Sequence, residues 1–308
     1  MHSIKPWGGR KMELNRDNYY TQEADTQYMS CSQYQSFCEC EAQAMAKLEG
    51  RWKGEDTQAF LVGNYFHSFM EGPEAHKDFC DNHFADIYKT KTDKKTGQTE
   101  ITGKYAAYEN ADKMIRSALA DPLIKRFYDM PGEVERIMTG ELFGIPWRIR
   151  MDKYYPDRRI ILDWKTTRSI YELIYNPVSR ERETFMEAHG YLMRAAVYAE
   201  IEKQNTGKDT DPMFIIVAIS KQDIPDKGIF SLNHHQRWEY ELEQIQKNLM
   251  RIQQIKEGRA NPIRCGVCDY CRSTKITRGI RPYYVIKPEF KEAPEEDDLL
   301  KISAQIEL

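Results

Sequence analysis

Two acids and a lysine carry the most specific chemistry in this sequence. Asp152 closes the run Ile145-Pro-Trp-Arg-Ile-Arg-Met-Asp152, and eleven residues later Asp163-Trp164-Lys165 closes the run Arg159-Ile-Ile-Leu-Asp163-Trp-Lys165. The first run alternates apolar and polar residues, the second is β-branched, and Tyr155-Pro156-Asp157-Arg158 between them reads as a turn, so the spacing predicts a β-hairpin. Side chains two apart on a strand share a face, which points Asp163 and Lys165 into one site and lets the hairpin bring Asp152 beside them. Two carboxylates at close range repel, and a hard divalent cation such as Mg²⁺ (or Mn²⁺) relieves that repulsion by taking oxygen ligands. A lysine next to such an ion can position or deprotonate water, or stabilise charge on a phosphoryl oxygen. The bland alternative is a surface hairpin with an ordinary Lys–Asp pair.

Asp152 followed by Asp163-Trp-Lys165 resembles the D…(D/E)-x-K signature of the PD-(D/E)XK nuclease superfamily. Thr166-Thr167 after the lysine narrows the resemblance to the RecB-like branch, and within it the chain is most similar to phage-encoded recombination exonucleases of the exonuclease VIII (RecE) type. The resemblance implies an α/β fold: a restriction-endonuclease-like core with a mixed central β-sheet flanked by helices. It implies Mg²⁺-dependent hydrolysis of double-stranded DNA ends, 5′ to 3′, leaving 3′ single strands. The metal would be held by Asp152, Asp163, His67 and the Trp164 carbonyl, with Lys165 positioning or activating the attacking water.

His67 lies in Gly63-Asn-Tyr-Phe-His67, on a helix predicted over 57–70, and resembles the branch's upstream metal-ligand motif; a lone helical histidine is otherwise structural. Superfamily members can carry a further upstream acid. Glu135 and Glu141 are the candidates, and Glu141, just before the turn at Gly144, is preferred. The branch's Q-x-x-x-Y helix corresponds to Arg194 and Tyr198. Tyr198 matches, while Arg194 replaces the glutamine and could make a stronger, charge-assisted phosphate contact. Tyr191, nearly a turn earlier, and Arg168, just after the lysine strand, are further candidates for DNA contact.

Seven cysteines group at 31, 38 and 40 and at 265, 268 and 271, with Cys80 apart. Cys265-x-x-Cys268-x-x-Cys271 crowds three thiols, and thiolates this close repel unless a metal centre bridges them. A fourth ligand must come from elsewhere, and Cys40 is the obvious one. Iron–sulfur members of the RecB-like branch share this layout of one early and three late cysteines, which implies a [4Fe–4S] cluster; structural Zn²⁺ with Cys31, Cys38 or Cys40 is the alternative. Arg272 and Lys275, with Arg278, Arg281, Tyr283 and Tyr284 beyond them, could track a DNA backbone.

These groups need elements to hold them. Helices are expected over 32–48, 57–70, 109–128, 184–200 and 232–257. Strands are expected over 133–143 and in the apolar run Met213–Ser220, which suits a strand buried on both faces. The lysine-rich stretch 88–104 reads as a solvated hairpin or loop. His234-His235 are adjacent and point apart on a helix, which favours capping over metal binding. The expected organisation is an N-terminal arm at 1–27 with an aromatic Asn18-Tyr19-Tyr20, a nuclease domain at 28–285, and an acidic flexible tail at 286–308 whose apolar end could dock on a partner or a second subunit.

The net charge of −3 argues mildly against a non-specific nucleic-acid coat but not against a nuclease, whose acidic site offsets a local basic groove. No apolar run is long enough for a membrane span, and a cytoplasmic location is expected. By resemblance, the partners would be DNA ends, a single-strand annealing recombination protein and further copies of the chain. Two other readings compete: an iron–sulfur nuclease of CRISPR adaptation or repair acting on single-stranded ends, and a non-catalytic DNA-binding module. The absence of a G-x-x-x-x-G-K-[ST] loop excludes a self-contained helicase–nuclease.

Overall fold

The computed structural model describes residues 11–54, 57–176, 180–277 and 283. It falls into two units, Met1–Ile263 and Arg264–Leu308, so the three late cysteines belong to the second. The acidic tail at 286–308, with Arg278, Arg281 and Tyr284, lies outside the described residues.

In the first unit, the described part of the expected arm carries α1 (Gln22–Gln27), capped by Thr21, and buries Tyr19 and Ala24. The helix expected over 32–48 is two helices, α2 (Cys31–Glu39) and α3 (Glu41–Leu48). Ser30 caps the first, and Cys40 between them is extended at φ −161°. Thr57 caps α4 (Gln58–Glu71) by accepting the Phe60 N–H, and Gly72 closes it. α5 (Pro73–Asn82) and α6 (Phe84–Ile87) follow. The lysine-rich stretch is a hairpin of β1 (Tyr88–Thr92) and β2 (Thr99–Lys104). Asp121-Pro122 splits the expected 109–128 helix into α7 (Ala106–Ala120) and α8 (Pro122–Asp129), because proline lacks the N–H and drives the residue before it out of the helical region.

The central sheet starts with β3 (Glu133–Leu142) and β4 (Ile145–Tyr155), an antiparallel pair turned at Phe143-Gly144, where both residues have positive φ as a two-residue hairpin loop demands. β5 (Ile160–Thr167) follows. A small hairpin of β6 (Ile174–Asn176) and β7 (Glu181–Glu183) and the short α9 (Phe185–Ala188) lead to α10 (Tyr191–Thr206). β8 (Met213–Ser220), β9 (Lys227–Ser231) and α11 (His235–Lys256) complete the unit. His234 caps α11 through its ring, in keeping with the capping role expected for it.

The five strands lie in the order β3-β4-β5-β8-β9, with β5 and β8 parallel and the other pairs antiparallel. This is the mixed sheet expected. Alternate residues of β8 feed two cores. Phe214, Ile216 and Ala218 join Trp147, Met151 and Ile161 against α2, α3, α10 and α11, while Ile215, Val217 and Ile219 join Leu162 and Trp164 against α4 and α7. Asp163 and Lys165 share the parity of Ile161, which turns them toward the α10 side.

The second unit is short among its described residues. Its one regular element is α12 (Asp269–Ser273), with Cys268 at its N-cap.

Candidate active site

The site opens where two strands of the sheet part. β4 and β5 pair only from Tyr155↔Ile160 to Lys153↔Leu162. Beyond that point β4 continues alongside β3, and β5 continues alongside β8 as far as Thr167↔Ser220. Asp152 is the first residue past the fork. Its Oδ2 accepts the Trp164 N–H at 2.7 Å, satisfying a β5 donor that no β4 carbonyl reaches. Lys165 Nζ then lies 2.8 Å from Asp163 Oδ1, 3.1 Å from the Trp164 carbonyl and 3.8 Å from Asp152 Oδ2. From α4, His67 places Nδ1 3.4 Å from Asp152 Oδ2. The structure thus gathers Asp152, Asp163, Trp164, Lys165 and His67 at one point.

Electrostatics distinguish the roles available to these groups. Burial pushes the Asp163 carboxyl above the usual carboxylate range; Lys165 opposes this and Asp152 adds to it. Burial works against the charge on Lys165, but Asp163 and Asp152 outweigh it and hold the ammonium above an ordinary lysine. Burial, reinforced by Lys165, pulls His67 down to about 3. Its imidazole is therefore neutral near pH 7, the form that can ligate a metal.

Asp163 Oδ2 is buried with no hydrogen-bond partner among the described residues. A buried carboxylate oxygen left unsatisfied is costly. A divalent cation held by Asp152, Asp163, the Trp164 carbonyl and neutral His67 would satisfy it, so the donor set fits the hard ion expected.

The α10 residues close the site. Gly190, at φ +65°, starts the helix in a conformation that glycine tolerates, and a side chain there would run into Gln35. Tyr191 then lies under two cations, with its ring centroid 5.6 Å from Lys165 Nζ and 5.6 Å from the Arg194 guanidinium. Burial disfavours the charge on Arg194, but the groups around it, Tyr198 and Asp163 foremost, hold its pKa above the usual arginine value. Its guanidinium forms no hydrogen bond or ion pair among the described residues. Tyr198 is buried, and its hydroxyl donates to the Arg150 carbonyl at 2.9 Å, so it braces β4.

The preference for Glu141 over Glu135 needs correction. Glu141 is exposed near the turn end of the β3–β4 hairpin, opposite Pro146, with its backbone bonded to Gln204. Glu135 falls opposite Asp152 when the same register is continued. Its carboxyl is raised to about 7, first by burial and then by the charge of Asp152, and it pairs with Arg150. The signal was present in the sequence: reflecting residue 152 through a turn centred on Phe143-Gly144 gives residue 135.

Arg168 is exposed and paired with Glu172 rather than directed at the acids. In the second unit, Arg272 pairs with Asp269 and Lys275 is exposed. There the three cysteines converge. Cys265 Sγ and Cys271 Sγ are 4.0 Å apart, Cys268 N–H points at Cys265 Sγ at 3.3 Å, and Cys271 N–H points at Cys268 Sγ at 3.4 Å. Amides aimed at sulfur favour thiolates, so this triad is ready for a metal. Cys40 is in the first unit, at the α2–α3 joint.

A mixed sheet that forks over two acids and a D-x-K lysine, with helices on both faces, places the chain in the PD-(D/E)XK nuclease superfamily. More particularly, it belongs to the family described as "PDDEXK-like domain of unknown function (DUF3799)", which matches residues 30–274. A crystal structure named "Putative exonuclease" from Eubacterium rectale is 32% identical, with a TM-score of 0.79, over 90% of this chain and 99% of that one. The crystal structure of SSO0001 is 16% identical with a TM-score of 0.26, over 55% of this chain and 77% of that one. No curated protein matches the chain. Among the described residues no helix is long and apolar enough to cross a membrane.

Proposed function

We propose that this protein is a divalent-metal-dependent deoxyribonuclease that hydrolyses phosphodiesters from DNA ends, an exonuclease of the RecB-like branch. The observation that carries the reading is the unsatisfied Asp163 Oδ2 at the fork, facing a site where Asp152, Lys165 and neutral His67 already meet. The name of the Eubacterium rectale structure supports the same class. Asp152, Asp163, the Trp164 carbonyl and His67 would hold Mg²⁺ or Mn²⁺, which when bound supplies Lewis-acid stabilisation of the scissile phosphate. Lys165 is held as an ammonium, so it orients the attacking water and offsets charge on the phosphoryl oxygens rather than removing a proton. Arg194, whose guanidinium has no hydrogen bond or ion pair among the described residues, would bind a non-bridging phosphate oxygen. Tyr191 would keep both cations aligned through their contact with its ring.

The finer proposal follows the resemblance to exonuclease VIII (RecE) enzymes. The substrate would be a double-stranded end, cut 5′ to 3′ to leave a 3′ single strand. A single-strand annealing protein would be the partner, in a cytoplasmic and oligomeric setting. Cys265, Cys268 and Cys271 would hold a [4Fe–4S] cluster or Zn²⁺, with Cys40 carried from the sequence argument as the fourth thiolate.

The test uses linear duplex DNA labelled at one 5′ end beside a covalently closed circle, with Mg²⁺. Labelled mononucleotides from the linear DNA and an untouched circle are expected. Nicking of the circle would make the enzyme an endonuclease, and intact binding with no cutting of either would leave only a binding module. Lys165→Ala should keep DNA binding and abolish cutting; a mutant that cuts at the parent rate would refute this assignment of the site.

A further inference from the structure

The Asn18-Tyr19-Tyr20 segment has no part in the chemistry above, yet it sits at the rim of the site. Tyr19 is buried, with its ring centroid 4.7 Å from the Arg148 guanidinium. Tyr20 packs edge-on against it, centroid to centroid 4.9 Å at 86°, and is 73% exposed. The Arg150 guanidinium lies 5.0 Å from the Tyr20 ring centroid. Arg150 also pairs with Glu135, which falls opposite Asp152 when the β3–β4 register is continued. Burial raises the Tyr20 hydroxyl above an ordinary phenol; Arg150 and Arg194 oppose this, and Glu135 and Asp152 add to it.

We infer that Tyr20 is a stacking platform for a nucleobase of the bound DNA strand. This is a positioning role that rests on the nuclease reading. A large aromatic left mostly in water beside a site for a polyanion can take a planar apolar partner, and every base offers one. Tyr19 and Arg150 restrain the ring on two sides, so stacking costs little side-chain entropy. Glu135 partly neutralises Arg150 and the cation backs the ring, so the platform accepts the base while Arg194 and Lys165 take the phosphate. Stacking on one ring is sequence-tolerant, which suits an enzyme that moves along a strand.

The experiment uses the full chain in EDTA, where binding is read without cutting. Oligonucleotides carry 2-aminopurine in turn at successive positions from the end. Wild type and Tyr20→Phe should quench the fluorescence at one position, and Tyr20→Ala should not, since the role needs the ring and not the hydroxyl. With Mg²⁺, Tyr20→Ala should raise KM about tenfold, far more than it lowers kcat. An abasic nucleotide at the quenched position should remove the difference between wild type and Tyr20→Ala. Equal quenching by wild type and Tyr20→Ala, or a KM penalty that persists on the abasic strand, overturns the proposal. Because the fluorescence is read without turnover, a chain that bound DNA without cutting it would sink the nuclease reading and leave the stacking result standing on its own.

Discussion

Arg194 stands where the resemblance to the RecB-like branch implies a glutamine, and its charge decides what it would do there. Asp152 and Asp163 bring two negative charges to the fork, and Lys165 and Arg194 bring two positive ones. Arg194 therefore opposes the binding of a cation while favouring a phosphate. Arg194→Gln should tighten Mn²⁺ binding in a titration of the DNA-free protein, and should raise KM for DNA by about tenfold or more, the worth of a lost charge-assisted hydrogen bond. An unchanged KM would remove Arg194 from the substrate. Glu135 gives a second test at this scale. It faces Asp152 and anchors Arg150, so Glu135→Gln should slow cutting by about 10- to 100-fold, as loss of a group supporting a metal ligand does. Glu141→Gln, exposed near the hairpin turn, should cut like the parent. If the two results were exchanged, the register argument would fail.

Between elements, what could be foreseen depended on how local the cause was. The β4–β5 hairpin and the His234 cap of α11 follow from neighbouring residues, and both were legible in the sequence. The fork was not, because the point where β4 and β5 part, β4 staying with β3 and β5 with β8, is decided by the neighbouring strands together. Glu135 was ranked behind Glu141 for a related reason, since choosing between them needs the register counted through the Phe143-Gly144 turn and not the strand alone. Cys40 has helical spacing from Ser32 and yet breaks the helix, which residue spacing alone does not reveal.

A buried lysine that joins α11 to α2 and α1 adds a test of this packing. Lys256 Nζ lies 3.2 Å from Gln33 Oε1 and 3.5 Å from the Asp25 carbonyl. Burial lowers it to about 7, with the Asp25 carboxylate opposing and Arg148 adding. The folded state thus releases this proton near pH 7, and the unfolded state keeps it to the ordinary lysine range. Between those values the unfolded chain binds more protons, so stability rises with pH, by up to about 1.4 kcal/mol per unit from this group. Denaturant melts from pH 7 to 9 should show that rise, and Lys256→Met should flatten it. A wild type whose stability is flat or falling across this window would mean that Lys256 is solvated in solution.

At the scale of the whole molecule, the chain keeps its phosphate chemistry in the first unit and a thiol triad in the second. Three thiols this close, two of them receiving backbone N–H groups, are unfavourable as free thiolates and favourable as ligands. Three protein sulfurs leave one position open on a tetrahedral zinc or on a cubane cluster, so a fourth donor is required. Among the early cysteines, Cys31 is buried near Arg194 and Asp163, where burial raises its thiol to about 12, and Cys38 contacts Asn248 at 3.9 Å. Cys40, at the joint where α2 ends, is the donor the sequence argument selects. Anaerobically purified protein should carry either iron with acid-labile sulfide or zinc. Cys268→Ala and Cys40→Ala should each lose most of that metal, while Cys31→Ala and Cys38→Ala keep it. Full metal retention in Cys40→Ala, with loss in Cys268→Ala, would assign the fourth position to another group and remove Cys40 from the centre. Retention in both would mean that the triad holds no metal.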